Sequence, residues 1–281
     1  MRRAFAALAA GLALGGCAAT GASSSALPTS APSSPAVAPP SNSPSSVPGK
    51  PTAGDGVMCT GRAEFDRPMA SSTNFPGTVT TTGSKAVALT FDDGPDPGTT
   101  PKVLDLLRNC GVKATFCVNG IKAQSNPTLI RRIVHEGHTM CNHTWRHITQ
   151  LGSYGKELIE QDLADTNNAI KAIVPEANIG YFRAPGGRWT EDYIIVARKL
   201  GMTPLHWDVD TSDWDHSRYG KGQSMINHIV HEVQNQTKPG SVVLAHDFNK
   251  PDTVAAFTTL LPWLKARVEL ISLPPGGIPA P

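Results

Sequence analysis

The chain has 281 residues, 40% of them hydrophobic, with 25 basic and 23 acidic side chains. Removal of Arg2 and Arg3 with a leader would bring bases and acids level. So even a balance gives no electrostatic basis for nucleic acid or anionic lipid as partner.

The leader is read from the N-terminus inward. Arg2 and Arg3 precede the apolar run Ala4 to Leu14, which is too short to span a bilayer and has the layout of a secretory signal. It closes with Leu14-Gly15-Gly16-Cys17, which resembles the lipobox of bacterial lipoproteins. The expectation is a signal peptide over 1–16 and Cys17 as the lipid-modified N-terminus; the plainer alternative is cleavage at small residues with Cys17 discarded. No other stretch is apolar enough to span a membrane, so membrane contact is expected only through that lipid. Residues 17–56 are almost all Ala, Ser, Pro, Thr and Gly, a composition that cannot bury enough apolar surface to offset ordering. They are predicted to be a flexible, disordered linker. Residues 57–83 form an irregular lead-in rich in Thr, Ser and Gly.

About 225 residues remain, enough for one domain with a single core, placed here at 84–275. A monomer is expected. The apolar run Ala86 to Leu89 predicts a buried strand, ended at once by Gly94 and Pro95. Between them lie Asp92 and Asp93. Neighbouring side chains of an extended segment point to opposite sides, so these two carboxylates are free to do different jobs.

Strands and helices then alternate. Helices are predicted over 100–110, 126–136, 156–174, 191–200, 224–236 and 253–267, and strands over 114–118, 139–142, 180–183, 203–209, 241–245 and 268–273. Seven strands alternating with helices argue a parallel α/β sheet with right-handed crossovers. A barrel and an open doubly wound sheet both fit. No dinucleotide fingerprint, Walker A loop or serine-nucleophile elbow occurs.

Four cysteines fall beyond the linker: Cys59, Cys110, Cys117 and Cys141. An even count in an exported chain suggests two disulfides, against the alternative of buried thiols. Cys117 and Cys141 each stand near a strand end and are expected to face each other on adjacent strands, leaving Cys59 with Cys110.

The unusual polar residues gather just after strands, where parallel folds build their sites. His143 and His147 are four apart in His-Thr-Trp-Arg-His, and one helical turn would aim both rings at one cation. His135 and His138 lack this spacing and are read as surface or capping residues. Arg183, ahead of Ala184-Pro185-Gly186-Gly187, can orient a carboxylate. Asp208, Asp210 and Asp213 lie among Trp207 and Trp214, and His246 ends the strand Ser241–Ala245.

These motifs, in this order from about Ala86 to Leu273, resemble the polysaccharide deacetylases, carbohydrate esterase family 4, also called the NodB homology domain. The resemblance implies a distorted (β/α)7 barrel holding one divalent metal, zinc first, with cobalt or nickel as alternatives. It implies Asp93, His143 and His147 as metal ligands, and Asp92 as the base, held by Arg183. His246 is implied as the acid, oriented by Asp213, with Trp214 and Leu244 around the acetyl methyl. The Gly186 N–H would assist the metal at the oxyanion. The implied reaction is hydrolytic removal of acetyl groups from N-acetylglucosamine units of a polysaccharide.

Two positions depart from the family pattern, which often has an aromatic at Gly186 and an Asn at Thr190. Trp189 or Trp145 is expected to serve as the sugar platform instead. A tethered enzyme reaches its own envelope first, so peptidoglycan is ranked ahead of chitin oligomers and acetylated xylan. A non-catalytic glycan-binding barrel is the rival from another class.

Overall fold

A computed structural model describes residues 75–278. The signal segment, Cys17, the linker, Cys59 and most of the lead-in lie outside the described residues.

The core begins with β1, Val87–Asp92, whose six residues are all buried. A strand covered on both faces reads as a continuous apolar run rather than an alternation, which is why Ala86 to Leu89 was legible. Around β1 the order is α1 (Thr100–Asn109), β2 (Thr115–Val118), α2 (Gly120–Ser125), α3 (Pro127–His135), β3 (Thr139–Asn142), α4 (Lys156–Ile173), β4 (Ile179–Phe182) and α5 (Glu191–Lys199). Then come β5 (Thr203–Pro204), β6 (Val209–Asp210), α6 (His216–Tyr219), α7 (Gln223–Gln236), β7 (Val242–His246), α8 (Pro251–Lys265) and β8 (Leu270–Ile271). The sheet runs β5-β4-β3-β2-β1-β7-β6, with β8 beside β1. Every named pairing is parallel.

The single strand predicted over 203–209 is in fact two. Pro204 has no N–H for a ladder, and the chain leaves β4 after it. His206 instead donates its backbone N–H to the Val79 carbonyl at 2.7 Å. β6 then joins β7, at the other end of the sheet. Residues 79–82 span the gap between these ends: Val79 bridges Leu205, and Thr81 bridges Ser241. The part of the lead-in that the structure describes thus helps to curl the sheet into the expected distorted barrel.

Helix positions agree with the sequence reading to within about two residues. Two short helices, α2 and α6, were not predicted; at six and four residues they are too short to show a helical period. Cys117 and Cys141 are directly opposed in the β2–β3 register and form a disulfide. Cys110 is disulfide-bonded as well, and its expected partner Cys59 lies outside the described residues. His138 corrects the sequence reading: its side chain is buried, and Nδ1 accepts the Ala114 N–H at 3.1 Å.

Candidate active site

The ends of four strands bring the site together. Asp92 ends β1 and pairs across the ladder with Cys117 on one side and His246 of β7 on the other. His143 follows β3, and Arg183 follows β4. Asp93 turns away from the strand with φ 73°, one of several non-glycine residues in the left-handed region. Thr144 and His147 are two more, at 65° and 59°. Such conformations are strained and persist where surrounding bonds over-determine them.

Those bonds are visible around the His143–His147 loop, which is not the helical turn expected from its spacing. The Asn142 side-chain oxygen accepts the Thr144 N–H at 2.9 Å, and Asp162 accepts the Trp145 N–H at 2.8 Å. Thr144 Oγ1 accepts the His147 N–H at 3.1 Å, while Asn119 donates its side-chain amide to the His143 carbonyl at 2.7 Å. The two imidazole centroids end 4.9 Å apart. The rings converge because the loop is held from four sides.

Asp93 Oδ1 lies 3.5 Å from His143 Nε2 and 3.3 Å from His147 Nε2. The three candidate ligand atoms lie within 4.8 Å of one another. His143 Nδ1 faces the Arg183 carbonyl at 2.8 Å. A carbonyl only accepts, so the proton sits on Nδ1 and Nε2 keeps its lone pair. Burial and the neighbouring His143 lower the basicity of His147, which favours the neutral, ligating ring. Burial raises the acid of Asp93, but the neighbouring imidazoles of His143, His246 and His147 hold the carboxylate well below its usual range. Asp93 Oδ1 is buried and has no hydrogen-bond partner. A buried, anionic oxygen without a donor beside two imidazole lone pairs fits a divalent cation.

Asp92 is separated in role by Arg183, whose side chain is fully buried. Arg183 Nη1 donates to Asp92 Oδ1 at 2.7 Å and to Thr90 Oγ1 at 2.8 Å. Its Nη2 and Nε donate to the carbonyls of His206 and Leu205, at 3.1 and 3.3 Å. Asp92 Oδ2 is left facing the triad, 3.6 Å from His143 Nε2. One arginine therefore ties down the base candidate with its side chain and a candidate metal ligand with its backbone.

Across the cleft, His246 Nδ1 lies 2.6 Å from Asp213 Oδ1. Asp213 is buried, and its Oδ2 accepts from the His246 N–H at 2.9 Å and from Thr253 Oγ1 at 2.5 Å.

A cavity of about 360 Å³ joins these groups. Gly186, Trp214 and Leu244 line it. The sugar platforms anticipated at Trp189 and Trp145 do not. Trp189 is buried against Phe182 and Tyr193, and the Trp145 ring packs beside Gly120, where no Cβ would fit. The walls are instead Trp207 and Trp214, and Trp207 sits so close to Gly187 that a Cβ there would meet its ring. Asp210, Arg188 and Thr149 also line the cavity without having been assigned a role. Of the three acids near Trp207, Asp208 points elsewhere and accepts from Ser241 Oγ at 2.6 Å.

Residues 80–205 match the family model for polysaccharide deacetylases. A chitooligosaccharide deacetylase of Sinorhizobium fredii is 41% identical over 206 residues, covering 69% of this chain and 92% of the relative. The chain belongs to the polysaccharide deacetylase family. A Bacillus cereus peptidoglycan-N-acetylglucosamine deacetylase is 37% identical over 187 residues, covering 65% of this deacetylase and 83% of the relative. Among solved structures, a peptidoglycan N-acetylglucosamine deacetylase superposes with TM-score 0.63 at 31% identity, covering 70% of this chain and 90% of that one. A family 4 carbohydrate esterase from Streptomyces lividans does so with TM-score 0.57 at 30% identity, covering 66% and 91%. The fold of this deacetylase is thus that of the family.

Proposed function

We propose that this polysaccharide deacetylase hydrolyses the acetamido group of N-acetylglucosamine units, with Asp93, His143 and His147 holding a zinc ion. The observation that carries this reading is the orphaned Asp93 Oδ1 between two imidazole Nε2 atoms, in a cavity that Asp92 and His246 also line. Two imidazoles and a carboxylate suit zinc, with cobalt and nickel next. A cation bound there lowers the pKa of a water and polarises the acetyl carbonyl.

Asp92, its Oδ1 fixed by Arg183, takes the proton of the attacking water through Oδ2. The water oxygen adds to the acetyl carbon, and the Gly186 N–H at the cavity wall donates to the oxyanion. His246, protonated and oriented by Asp213, gives its proton to the nitrogen as the C–N bond breaks. Acetate and a free amine leave. Leu244 and Trp214 enclose the methyl.

Peptidoglycan is the proposed polymer. Arg188 lines the cavity, is exposed, and has no ion-pair partner among the described residues. An exposed guanidinium beside the sugar site suits a glycan bearing carboxylates more than neutral chitin or acetylxylan. The enzyme is further proposed to be an exported monomer, held at the outer face of the cell membrane by lipid on Cys17. A Cys17→Ala chain should then leave the membrane fraction; retention there would remove the anchor.

The test of function is acetate release from peptidoglycan, chitin oligomers and acetylxylan in parallel, with and without chelator. Chelator-sensitive release led by peptidoglycan supports the reading. Release from xylan alone would make the protein an esterase, and release from none, with metal bound, would favour a glycan-binding barrel.

A further inference from the structure

Asp247 directly follows His246 and takes no part in the proton transfers above. Its side chain is nonetheless buried at the back of the site, at 1% exposure. Oδ2 accepts from Thr100 Oγ1 at 2.5 Å, and Oδ1 has no partner. The backbone of the same residue holds the same loop: its N–H donates to the Asp92 carbonyl at 3.1 Å, and its carbonyl accepts from Thr99 Oγ1.

Opposite the carboxyl stands Gly94. A Cβ at that position would come closer than 3.0 Å to both carboxylate oxygens. Gly94 is not in the left-handed region, unlike many glycines of this chain. Space, not backbone freedom, is therefore what requires glycine here. On the far side of the loop, the Asn119 N–H donates to the Gly94 carbonyl at 3.1 Å, and Lys122 Nζ donates to the Asp93 carbonyl at 2.7 Å. The β1–α1 loop is thus gripped between β2–α2 and Asp247.

We propose that Asp247 is a positioning residue. Its carboxyl, wedged between Gly94 and Thr100, sets the loop carrying Asp92 and Asp93 at the working distance from His246. The cost of keeping it there favours such a role over simple packing. Burial, with Asp93 and Asp92 close by, pushes its acid up to about 7, and a buried carboxyl with one unpaired oxygen stabilises a fold poorly.

The inference rests on the deacetylase reading for its consequence, but not for its test. Metal titration into the stripped protein reads the loop directly, whether or not any glycan is turned over. Asp247→Ala should weaken metal binding and lower kcat by about 10–100-fold, the usual effect of losing an outer support, with KM and Tm little changed. Asp247→Asn, which keeps the planar wedge, should recover most of the loss. Gly94→Ala should be worse than either, and the Gly94→Ala/Asp247→Ala pair should bind metal at least about tenfold better than Gly94→Ala alone, because removing the carboxyl makes room for the methyl. Asp247→Ser is run beside the alanine variant so that the comparison survives a failure of that variant to fold. Wild-type metal affinity in Asp247→Ala, or a double variant no better than Gly94→Ala, would overturn the proposal.

Discussion

His246 Nδ1 and Asp213 Oδ1 are 2.6 Å apart, and the acid is wholly buried behind the ring. Burial favours the neutral imidazole, but the charge and hydrogen bond of Asp213, with Asp93 and Asp92 beyond it, push His246 up to about 9. The ring is therefore an imidazolium at neutral pH, as a general acid must be. Because the folded pKa lies above that of free histidine, the charged form is present below it and is lost as pH rises through about 9. Activity should fall on that alkaline limb. A bound cation offsets the field of Asp93 and Asp92, which leaves Asp213 as the main support of the charge. Asp213→Asn should move the limb to lower pH and reduce kcat by about 10²–10⁴. Superimposable pH profiles of variant and wild type would remove the pairing from the mechanism.

Arg183 should be the most costly single residue to lose. It is fully buried, and its partner Asp92 is 2.7 Å away. Removing one member of a buried pair leaves the other charge unpaired and costs about 3–5 kcal/mol. Arg183→Ala is expected to lose that much in urea unfolding as well as all turnover. Arg183→Lys keeps the charge but cannot reach Asp92, Thr90 and two carbonyls together, so its turnover should also fall steeply. A stable, active Arg183→Ala would contradict the arrangement.

The Cys117–Cys141 bridge joins adjacent strands across a 24-residue separation. Closing a loop of that size stabilises by about 3 kcal/mol in the chain-entropy account. Strand β3 leads directly into His143, so the bridge also steadies a candidate metal ligand. Cys117→Ala/Cys141→Ala should unfold at lower urea, with a somewhat larger m because the uncrosslinked unfolded chain exposes more surface. An unshifted midpoint would show that packing alone holds the two strands.

Much of this site was legible in the sequence because its residues stand where apolar runs stop. Asp92 and Asp93 follow a fully buried strand and precede Gly94-Pro95, a boundary that needs no tertiary information. Other features depend on neighbours far along the chain. The split of 203–209 follows from contacts with Val79, and nothing within the run reveals it. Trp189 was expected as a sugar platform, and only its packing on Phe182 and Tyr193 buries it, while Trp207 lines the cavity instead. His138 was misread because it lies at a helix end in sequence, whereas in space its ring meets the Ala114 N–H and packs T-shaped against the Phe116 ring. The requirement for glycine at 94 is likewise set by a residue more than 150 positions away.

In the proposed reading, Arg188 carries the choice of polymer. Arg188→Ala should lower kcat/KM on peptidoglycan by roughly 10-fold, a loss of about 1.4 kcal/mol, and leave neutral chitin oligomers little affected. Added salt should weaken wild-type action on peptidoglycan more than that of the variant. Equal losses on charged and neutral glycans would show that Arg188 does not read the substrate.

The division of labour between the two adjacent aspartates is the centre of the account, and paired measurement of metal content and acetate release tests it most directly. Asp92→Asn should bind one equivalent of metal and release almost no acetate. Asp93→Ala should lose metal and acetate release together. Full metal occupancy in Asp93→Ala, or near-normal turnover in Asp92→Asn, would contradict it.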